Sequence, residues 1–483
     1  MMIEHVFEMF DERHCAFHVI INTEQLKENP NIIKDLSNLA YDVSVVVIDP
    51  HEIGPVHSVL MLEDIPNDEP LIISYCDFFV EWDFNKFLYE TQTCDGAVPA
   101  FKGFHPASFG DTYYAYMRCD NDNNLIELRE KRSFTDERHN EPASAGIYYF
   151  RSMGIFRNYA KVLLNEPNKL LPEAYVSLLF NYMLNDGLKI NVPIVSKFIC
   201  LGTPEDYEQY LFWYNYFNYK EDAYPQHDKN ANQVTLIPMA GRGSRFLEYG
   251  YRVAKPIIHV DQRPMIMHSI DSHPPQDKWI FVVRKEDVER HNVRKIFEAA
   301  SLEHETIAVS TTTSGQAASC LLAEDLLNDD DELFISSCDY RTIFNPEKWE
   351  DIRQDESVDG AIWITVLNGM PIKNPQSFAY CVTDENNVVT SIVEKNTISE
   401  TPQLDPLVIG TFWFRKAKDF KVAAHHAIDN DIVVNGEHYV GTSINHLIEL
   451  GRKIVIFKVD QWISFGDPFE LNVLEYWKEH FVQ

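Results

Sequence analysis

The sequence predicts an α/β protein with two tandem domains of one fold, each a mostly parallel, mixed sheet flanked by helices. Apolar strand-like runs alternate with amphipathic helical stretches, as in "KWIFVVRKEDVERHNVRKIFEAA", residues 278–300. Motifs of the first half also return in the second half at a nearly constant spacing. In open sheets of this kind ligands bind beyond the carboxyl ends of the strands, so we expect the functional site there.

The internal repeat is the observation that predicts two copies. "LIISYCDF" matches "LFISSCDY", so that Asp339 follows Asp77 by 262 residues. "LREKRS" matches "IVEKNT", and Glu394 follows Glu130 by 264 residues. Two later pairs keep the spacing of 264, "AGIYYFRSMGIF" with "IGTFWFRKAKDF" and "CLGTPEDYEQYLFW" with "SFGDPFELNVLEYW". Unrelated α/β domains would give scattered spacings, so we predict a tandem duplication.

The domain boundaries follow from this repeat and from a polar segment between the copies. "YKEDAYPQHDKNANQ", residues 219–233, is typical of a linker, so we predict domains at 1–218 and 234–483. The opening "MMIEHVFEMF" aligns with "PMIMHSIDSH", so that Met2 matches Met265. The counterpart of residues 234–264 is therefore missing from the first copy or lies outside this chain. Without its first strand, that copy's sheet is expected to be short at its centre.

The composition excludes some partners. Lys and Arg total 42 against 74 Asp and Glu, a net charge of −32, which repels nucleic-acid backbones and anionic lipid. No segment approaches 18 apolar residues, and the N-terminus lacks the basic and apolar regions of a signal peptide. The eight cysteines contain no CxxC pair and are expected to be reduced. We predict a cytoplasmic protein with no nucleic-acid partner and no membrane insertion.

A glycine-rich stretch, "LIPMAGRGSRF", follows an apolar run at the start of the second copy. Gly241 and Gly243 would let backbone N–H groups approach a phosphate chain, and Arg245 and Lys255 would supply positive charge. The loop is neither a Walker A motif nor a dinucleotide GxGxxG. Taken alone it is equally consistent with a plain strand-to-helix turn, and "AKP" ten residues beyond the arginine favours phosphate binding.

The ordered motifs of residues 235–483 resemble the sugar-1-phosphate nucleotidyltransferases, or nucleotide-sugar pyrophosphorylases, and their cytidylyltransferase relatives. The motifs that carry the resemblance are "MAGRGSRF", "AKP", "SGQAAS", "SSCDY", the pair Glu394–Lys395 and "WISFGDPFEL". The resemblance implies a Rossmann-like (GT-A-like) fold for each copy and a transfer in which a sugar phosphate attacks the α-phosphorus of a nucleoside triphosphate. It also implies Mg²⁺ as cofactor.

The resemblance assigns roles to individual residues. Arg245 would hold the leaving pyrophosphate, Lys255 the α-phosphate and Asp339 the Mg²⁺. Glu394 would bind acceptor hydroxyls and Lys395 the acceptor phosphate. The nucleotide would be bound by Met239, Ala240, Gly241, Gly243 and Gln316. Each assignment has a structural alternative: an aspartate after a strand is often a helix N-cap, a Glu-Lys dipeptide is often a solvated pair, and Gln316 could bond its own loop.

The sequence departs from the family at Ser464, because "WISFG" has serine where the family commonly has a second metal-binding aspartate. Either Asp339, phosphates and water hold the ion, or the activity is weakened. The first copy keeps Asp77, Glu130 and Lys131 but has Pro55 in place of the glutamine and no glycine-rich loop. We predict that it is catalytically silent and serves in packing, in homo-oligomer formation or in regulation.

Three functions remain open from the sequence. The first is synthesis of a nucleotide sugar for surface polysaccharide, from a nucleoside triphosphate and a sugar 1-phosphate. The second is a cytidylyltransferase for a small phospho-alcohol or phospho-amide, for which Phe412 and Trp413 could form an aromatic cage around a cationic acceptor, although their place in a strand favours core packing. The third is a non-catalytic nucleotide-sugar sensor or scaffold. Neither the base nor the acceptor can be read from these residues.

Overall fold

The computed structural model describes residues 2–11, 13–39, 41–166, 173–220, 232–291, 293–367 and 374–482. The chain forms two compact units, Met1–Tyr207 and Glu208–Gln483. Residues 221–231 of the predicted linker lie outside the described part. In that part of the chain no helix is long and apolar enough to cross a membrane.

The first unit alternates short strands with short helices. Its strands are β1 (Phe17–Asn22), β2 (Val43–Ile48), β3 (Leu71–Ser74), β4 (Phe78–Glu81), β5 (Gly96–Ala97), β6 (Ala100–Phe101), β7 (Ala115–Cys119), β8 (Leu125–Glu130), β9 (Ala143–Ser144), β10 (Ile147–Phe150), β11 (Ile190–Asn191) and β12 (Lys197–Cys200). Its helices are α1 (Met2–Glu8), α2 (Thr23–Glu28), α3 (Ile32–Ser37), α4 (Pro55–Leu60), α5 (Phe84–Thr91), α6 (Met153–Leu164) and α7 (Leu179–Asn185). Helix α8 (Pro204–Asn218) begins in the first unit and ends in the second.

The strands of the first unit form separate small sheets. One has the order β11-β5-β10-β3, a second has β6-β9-β7-β8, and β12 pairs with β4. Strands β1 and β2 are parallel to each other, and among the described residues no hydrogen-bonded strand joins this pair to β3. The apolar core lies around β3 and β10 and against helices α6 and α7.

The second unit has the longer strands. They are β13 (Gln233–Pro238), β14 (His259–Val260), β15 (Arg263–Pro264), β16 (Lys278–Arg284), β17 (His304–Val309), β18 (Glu332–Ile335), β19 (Tyr340–Ile343), β20 (Gly360–Thr365), β21 (Ala379–Thr383), β22 (Val389–Glu394), β23 (Leu407–Phe414), β24 (Ile454–Lys458) and β25 (Gln461–Ser464). Its helices are α9 (Ser244–Glu248), α10 (Met265–Ile270), α11 (Lys285–His291), α12 (Val293–Ala299), α13 (Gln316–Leu321), α14 (Pro346–Gln354), α15 (Ala417–Asp429), α16 (Val440–Glu449) and α17 (Pro468–Phe481).

The main sheet of the second unit has the order β17-β16-β13-β18-β23-β20-β24. Strand β13 lies near its centre and pairs in parallel with both β16 and β18, while β23 runs antiparallel to both of its neighbours. The sheet is therefore mixed and flanked by helices, as the sequence predicts. Because β13 and β18 are adjacent and parallel, the loops that follow them, with Met239 and Asp339, leave the sheet at the same edge.

The last part of α8 belongs to the second unit because its aromatic residues pack on helix α17. The ring centroid of Tyr210 lies 6.1 Å from that of Trp477 and 5.5 Å from that of Phe481. The ring of Phe217 stacks on Phe481 at 5.8 Å. These contacts explain why the two units divide after Tyr207, inside the helix.

Candidate active site

The glycine-rich loop follows β13 and leads into α9. Met239 and Ala240 are buried, and the backbone N–H of Met239 donates to the carbonyl of Val282 at 2.9 Å, which fixes the start of the loop on the neighbouring strand. Gly243 has φ +61°, and a Cβ there would lie 3.0 Å from the Cβ of Lys255. Glycine is favoured at this position because the turn is left-handed and Lys255 approaches closely. Gly241 is exposed, and a Cβ there would meet nothing within 4 Å, so the loop has open space in front of it.

Lys255 and Asp339 form an ion pair beside this loop. The Nζ of Lys255 donates to the Oδ2 of Asp339, and their side chains are 20% and 24% exposed. Burial alone lowers the pKa of Lys255, but the carboxylates of Asp339 and Glu470 more than offset it and raise the pKa above its ordinary value. Lys255 therefore carries a full positive charge at the edge where phosphates would lie. Asp339 follows β18 and is paired with a cation rather than capping a helix.

A second acidic side chain, that of Glu470, lies next to Asp339. A Cβ at Gly466 would be 2.9 Å from Asp339 Oδ2 and 3.4 Å from Glu470 Oε2, so both carboxylates face the space that this glycine leaves open. Antiparallel pairing of β19 with β25 brings Ser464 to the same place. The Oγ of Ser464 donates to Glu470 Oε2 at 2.7 Å. The position that the family fills with aspartate thus holds a serine bonded to another acid.

Sequence reasoning missed Glu470 because its context suggests only a helix start. Asp467 is the N-cap of α17, and Asp467 and Glu470 form a capping box. Burial raises the pKa of Glu470 to about 7, with Asp467 and Asp339 adding to the rise and the Ser464 hydroxyl opposing it. The one sequence feature that could have indicated Glu470 was the serine at 464, because a metal site that lacks its second aspartate needs an acid from elsewhere.

Arg245, in the first turn of α9, lies close to the N-cap of α17. Its side chain is 67% exposed, and its Nη1 lies 3.6 Å from Asp467 Oδ2. Burial lowers the pKa of Lys395, and the positive charge of Arg245 lowers it further, while Glu394 opposes both. Arg245 and Lys395 are therefore near enough for their charges to interact.

Glu394 and Lys395 stand at the end of β22. The side chain of Glu394 is 8% exposed, and the Nζ of Lys395 lies 4.0 Å from Glu394 Oε1. Lys395 has φ +56°, and its Nζ lies 5.3 Å from the ring centroid of Tyr439. Burial raises the pKa of Glu394, and Lys395 partly offsets the rise. This is a partly buried pair held in a special backbone conformation, which differs from the solvated surface pair considered as the alternative.

Gln316 is the first residue of α13, after Gly315. Gly315 has φ +136°, and a Cβ there would lie 2.4 Å from the backbone nitrogen of His438. The backbone N–H of residue 317 donates to the carbonyl of His438 at 2.9 Å, so the start of the helix is bound tightly to that segment. The Nε of Arg242, in the glycine-rich loop, donates to Thr312 Oγ1 at 3.3 Å. The segment before Gln316 is therefore tied to the loop after β13.

The aromatic cage suggested for a cationic acceptor is not formed. Phe412 and Trp413 are 3% and 1% exposed, and each belongs to one of the two apolar clusters that pack against the central strands. Neighbouring residues of a strand point to opposite faces of the sheet, and because both faces are covered, both rings are buried. Of the two alternatives for these residues, packing in the strand core is confirmed.

The residues present fit a magnesium ion. Within the described residues no group of three or more His, Cys, Asp or Glu side chains could hold a metal. Asp339 and Glu470 nevertheless offer carboxylate oxygens around one open point above Gly466. Mg²⁺ is typically held by one or two carboxylates, substrate phosphates and water, so two acids are sufficient.

Part of the chain is similar to known proteins. Residues 234–441 match the family model described as nucleotidyl transferase. The bifunctional protein GlmU of Oceanobacillus iheyensis is 24% identical over 259 residues, which cover 51% of this chain and 52% of that protein. UTP–glucose-1-phosphate uridylyltransferase AglF of Haloferax volcanii is 23% identical over 247 residues, covering 50% of this chain and 94% of that protein. The chain thus spans about half the length of GlmU and most of AglF.

A solved structure is also similar. The nucleoside-diphosphate-sugar pyrophosphorylase from Vibrio cholerae RC9 is 23% identical, with a TM-score of 0.42, and the match covers 50% of this chain and 99% of that one. The family match confirms the resemblance drawn from the sequence motifs, since residues 234–441 match the nucleotidyl transferase family model.

Proposed function

We propose that the second unit transfers a nucleotidyl group from a nucleoside triphosphate to a sugar 1-phosphate, releasing pyrophosphate and forming a nucleotide sugar. The observation that carries the proposal is a set of three cations linked by contact or charge, in a chain whose net charge is −32: Lys255 is paired with Asp339, Arg245 lies near Asp467, and the charge of Arg245 reaches Lys395. Cations concentrated in one place of so acidic a protein indicate an anionic substrate with several charges.

The reaction has one bond formed and one broken. A phosphate oxygen of the sugar 1-phosphate attacks the α-phosphorus, and the bond between that phosphorus and the oxygen bridging to the β-phosphate breaks, so pyrophosphate carries the electron pair away. The attacking phosphate is already ionised, so no strong general base is required. Lys255 would bind the α-phosphate, Arg245 the pyrophosphate and Lys395 the acceptor phosphate. Catalysis then rests on positioning and on neutralisation of charge.

Glu394 would accept hydrogen bonds from acceptor hydroxyls, because its carboxylate is partly buried at the end of β22. Gln316 would contact the base from the start of α13, next to the glycine-rich loop. Asp339 and Glu470 would hold Mg²⁺, which when bound neutralises charge on the phosphates. Met239, Ala240, Gly241 and Gly243 would supply the backbone against which the triphosphate lies.

The proposal is tested by pyrophosphate release from the full chain with Mg²⁺. Each of the four ribonucleoside triphosphates and dTTP is combined with a panel of sugar 1-phosphates, phosphocholine and glycerol phosphate. Release with one nucleotide and one sugar 1-phosphate supports the proposal. Release only with CTP and a phospho-alcohol replaces it by the cytidylyltransferase function. Nucleotide binding without release of pyrophosphate from any pair contradicts it in favour of the sensor.

We also propose that the first unit is a diverged, catalytically silent copy of the second. The same side-chain to backbone hydrogen bonds recur at the spacing of 264 residues. The side chain of Asn181 bonds both backbone groups of Leu128, at 3.3 and 3.0 Å, and that of Asn445 bonds both groups of Ile392, at 2.8 and 3.0 Å. A role of the first unit in self-association, which sedimentation of the full chain would reveal, belongs to the same proposal.

The wider setting that we propose is the cytoplasm and the supply of sugars for surface polysaccharide. All eight cysteines are free thiols, which suits a reducing compartment. Nucleotide sugars are the activated donors from which polysaccharide chains are built. Deletion of the coding sequence should lower the cellular pool of one nucleotide sugar, and an unchanged pool would contradict this role.

A further inference from the structure

The first unit contains a cavity of about 240 Å³ at the sites that correspond to the acceptor residues of the second unit. Among its lining residues are Asp77, Glu130 and Lys131, which match Asp339, Glu394 and Lys395 in the repeat. The volume is below the range of roughly 300–1,000 Å³ that is usual for drug-sized ligands. A ligand in this cavity would be about the size of one sugar ring.

The backbone around the pair of residues 130 and 131 is the same as in the second unit. Lys131 has φ +55°, and its Nζ lies 5.7 Å from the ring centroid of Tyr175. The corresponding values for Lys395 are +56° and 5.3 Å from Tyr439, which follows Tyr175 by 264 residues. A positive φ is strained for lysine and needs a stabilising environment. Its presence in both units indicates that both units hold the lysine ammonium group in the same position relative to the backbone and the tyrosine ring.

The metal-site aspartate also keeps its surroundings in the first unit. A Cβ at Gly202 would lie 3.1 Å from Asp77 Oδ2, as a Cβ at Gly466 would lie 2.9 Å from Asp339 Oδ2. The Oε2 of Glu130 accepts a hydrogen bond from Ser177 Oγ, which orients the carboxylate. The cavity is thus a formed site with oriented acids.

The charged side chains that line the cavity determine which class of ligand it can bind. Among the described residues that line it, Lys131 is the one basic side chain, and the acids are Asp77, Glu130 and Asp206. A triphosphate would be repelled, but one phosphate could pair with Lys131. Carboxylates accept hydrogen bonds from hydroxyl groups, and the aromatic lining residues offer apolar faces for the C–H bonds of a sugar ring; they include Tyr114, Tyr148, Tyr175 and Phe198.

We infer that the first unit binds a sugar monophosphate in this cavity and does not bind the nucleoside triphosphate. The inference rests on the proposed function for one point, namely that the pair matching Glu130 and Lys131 takes a sugar phosphate in the second unit. The ligand would contact Lys131 with its phosphate and the carboxylates of Glu130 and Asp77 with its hydroxyls. The first unit is then a second binding site for the acceptor class.

The test is the number of sugar-phosphate sites on the full chain without nucleotide. Isothermal titration calorimetry is run with glucose, galactose, mannose and N-acetylglucosamine 1-phosphates, with any acceptor that supports turnover, and with inorganic phosphate and phosphocholine as comparison probes. We expect two sites per chain for at least one sugar phosphate. Lys131→Met should weaken one of them about 10- to 100-fold, because a charge-assisted hydrogen bond is lost. The matched variant Lys395→Met should weaken the other.

Lys131 is exposed, so Lys131→Met is compatible with an intact fold, which an unchanged circular dichroism spectrum and melting temperature would verify. A second variant, Glu130→Gln, should weaken the same site and keep the packing. The inference is overturned if no probe has a site that depends on Lys131, or if only inorganic phosphate or phosphocholine binds there. Turnover is measured separately: its absence refutes the proposed function and leaves a Lys131-dependent site standing, and the reverse result refutes only the present inference.

Discussion

The contact between Ser464 and Glu470 predicts a specific outcome when the family's aspartate is restored. In Ser464→Asp, a carboxylate replaces a hydroxyl that lies 2.7 Å from Glu470 Oε2. At pH 9 Glu470, whose pKa is about 7, is ionised, and two like charges 4 Å apart repel by about 4 kcal/mol at an effective dielectric constant of 20. Both residues are partly buried, and we discount the repulsion for the remaining solvent to about 3 kcal/mol. At the usual scaling, the second unit should lose roughly 6–12 °C in melting temperature.

The double variant Ser464→Asp/Glu470→Gln should recover most of this loss. The glutamine amide can donate to the new aspartate, and glutamine at the third position of α17 keeps the capping box with Asp467. Glu470→Gln alone removes one acid from the proposed metal site, and we expect turnover to fall about 10- to 100-fold. The double variant, which again has two acids, should regain activity.

The assay is a double-mutant cycle on the full chain, by thermal or urea unfolding at pH 9 without Mg²⁺ and by pyrophosphate release with it. We expect a coupling energy of about 2–3 kcal/mol between positions 464 and 470. A coupling below about 0.5 kcal/mol would show that the two side chains do not interact as described. Wild-type turnover in Glu470→Gln would remove Glu470 from the metal site.

Three further predictions follow from the same unit. Arg245→Ala and Asp339→Asn should each lower the rate of pyrophosphate release about 10²–10³-fold, and near-normal rates would refute the roles given to them. Loss of the exposed Arg245 side chain should leave the melting temperature nearly unchanged, whereas Asp339→Asn leaves Lys255 without its carboxylate partner and should lower it. Gly315→Ala should lower the free energy of unfolding by more than about 3 kcal/mol, because a Cβ there would lie 2.4 Å from the backbone of residue 438. The control Gly451→Ala, at φ +82° and with nothing within 4 Å of its Cβ, should lower it by about 1–2 kcal/mol. Equal losses would contradict the close contact at Gly315. Burial lowers the pKa of His273 to about 4, so between pH 6.5 and pH 4 the unfolded chain binds a proton that the folded chain excludes. The free energy of unfolding should therefore fall by about 2–3 kcal/mol when the pH is lowered from above 6.5 to 4.5. If His273→Gln loses the same amount of stability over this pH range, other groups cause the loss.

From the sequence we could predict the alternation of strands and helices, and which candidate site residues follow strands. Lys255 and Asp339 are 84 residues apart, yet both could be assigned to one sheet edge because ordered motifs follow parallel strands. Glu470 could not be assigned, since Asp-x-x-Glu before an apolar run is equally the pattern of a helix start. Core packing of Phe412 and Trp413, which the sequence favoured over an aromatic cage, is confirmed because residues of a strand covered on both faces are buried whichever way they point.

Backbone conformation was the other feature beyond the reach of sequence reasoning. Nothing in the composition around Lys131 or Lys395 indicates a positive φ, because lysine has no preference for that region. The division inside α8 was likewise hidden, since it depends on where Tyr210 and Phe217 find aromatic partners far along the chain. Local patterns determine the elements, and long-range packing determines which unit an element joins.

The cluster of Arg245, Lys255 and Lys395 inside an acidic molecule has a kinetic consequence. A nucleoside triphosphate approaching from solution first meets the field of a net charge of −32 and is repelled. It is attracted only within about a Debye length of the cluster, roughly 8 Å at physiological ionic strength. Moderate salt screens the long-range repulsion more than the short-range attraction, so it should accelerate association of the nucleotide. With the proposed nucleoside triphosphate as substrate, the molecule would thus behave oppositely to enzymes whose surfaces steer their substrates, and its selectivity would depend on attraction at close range.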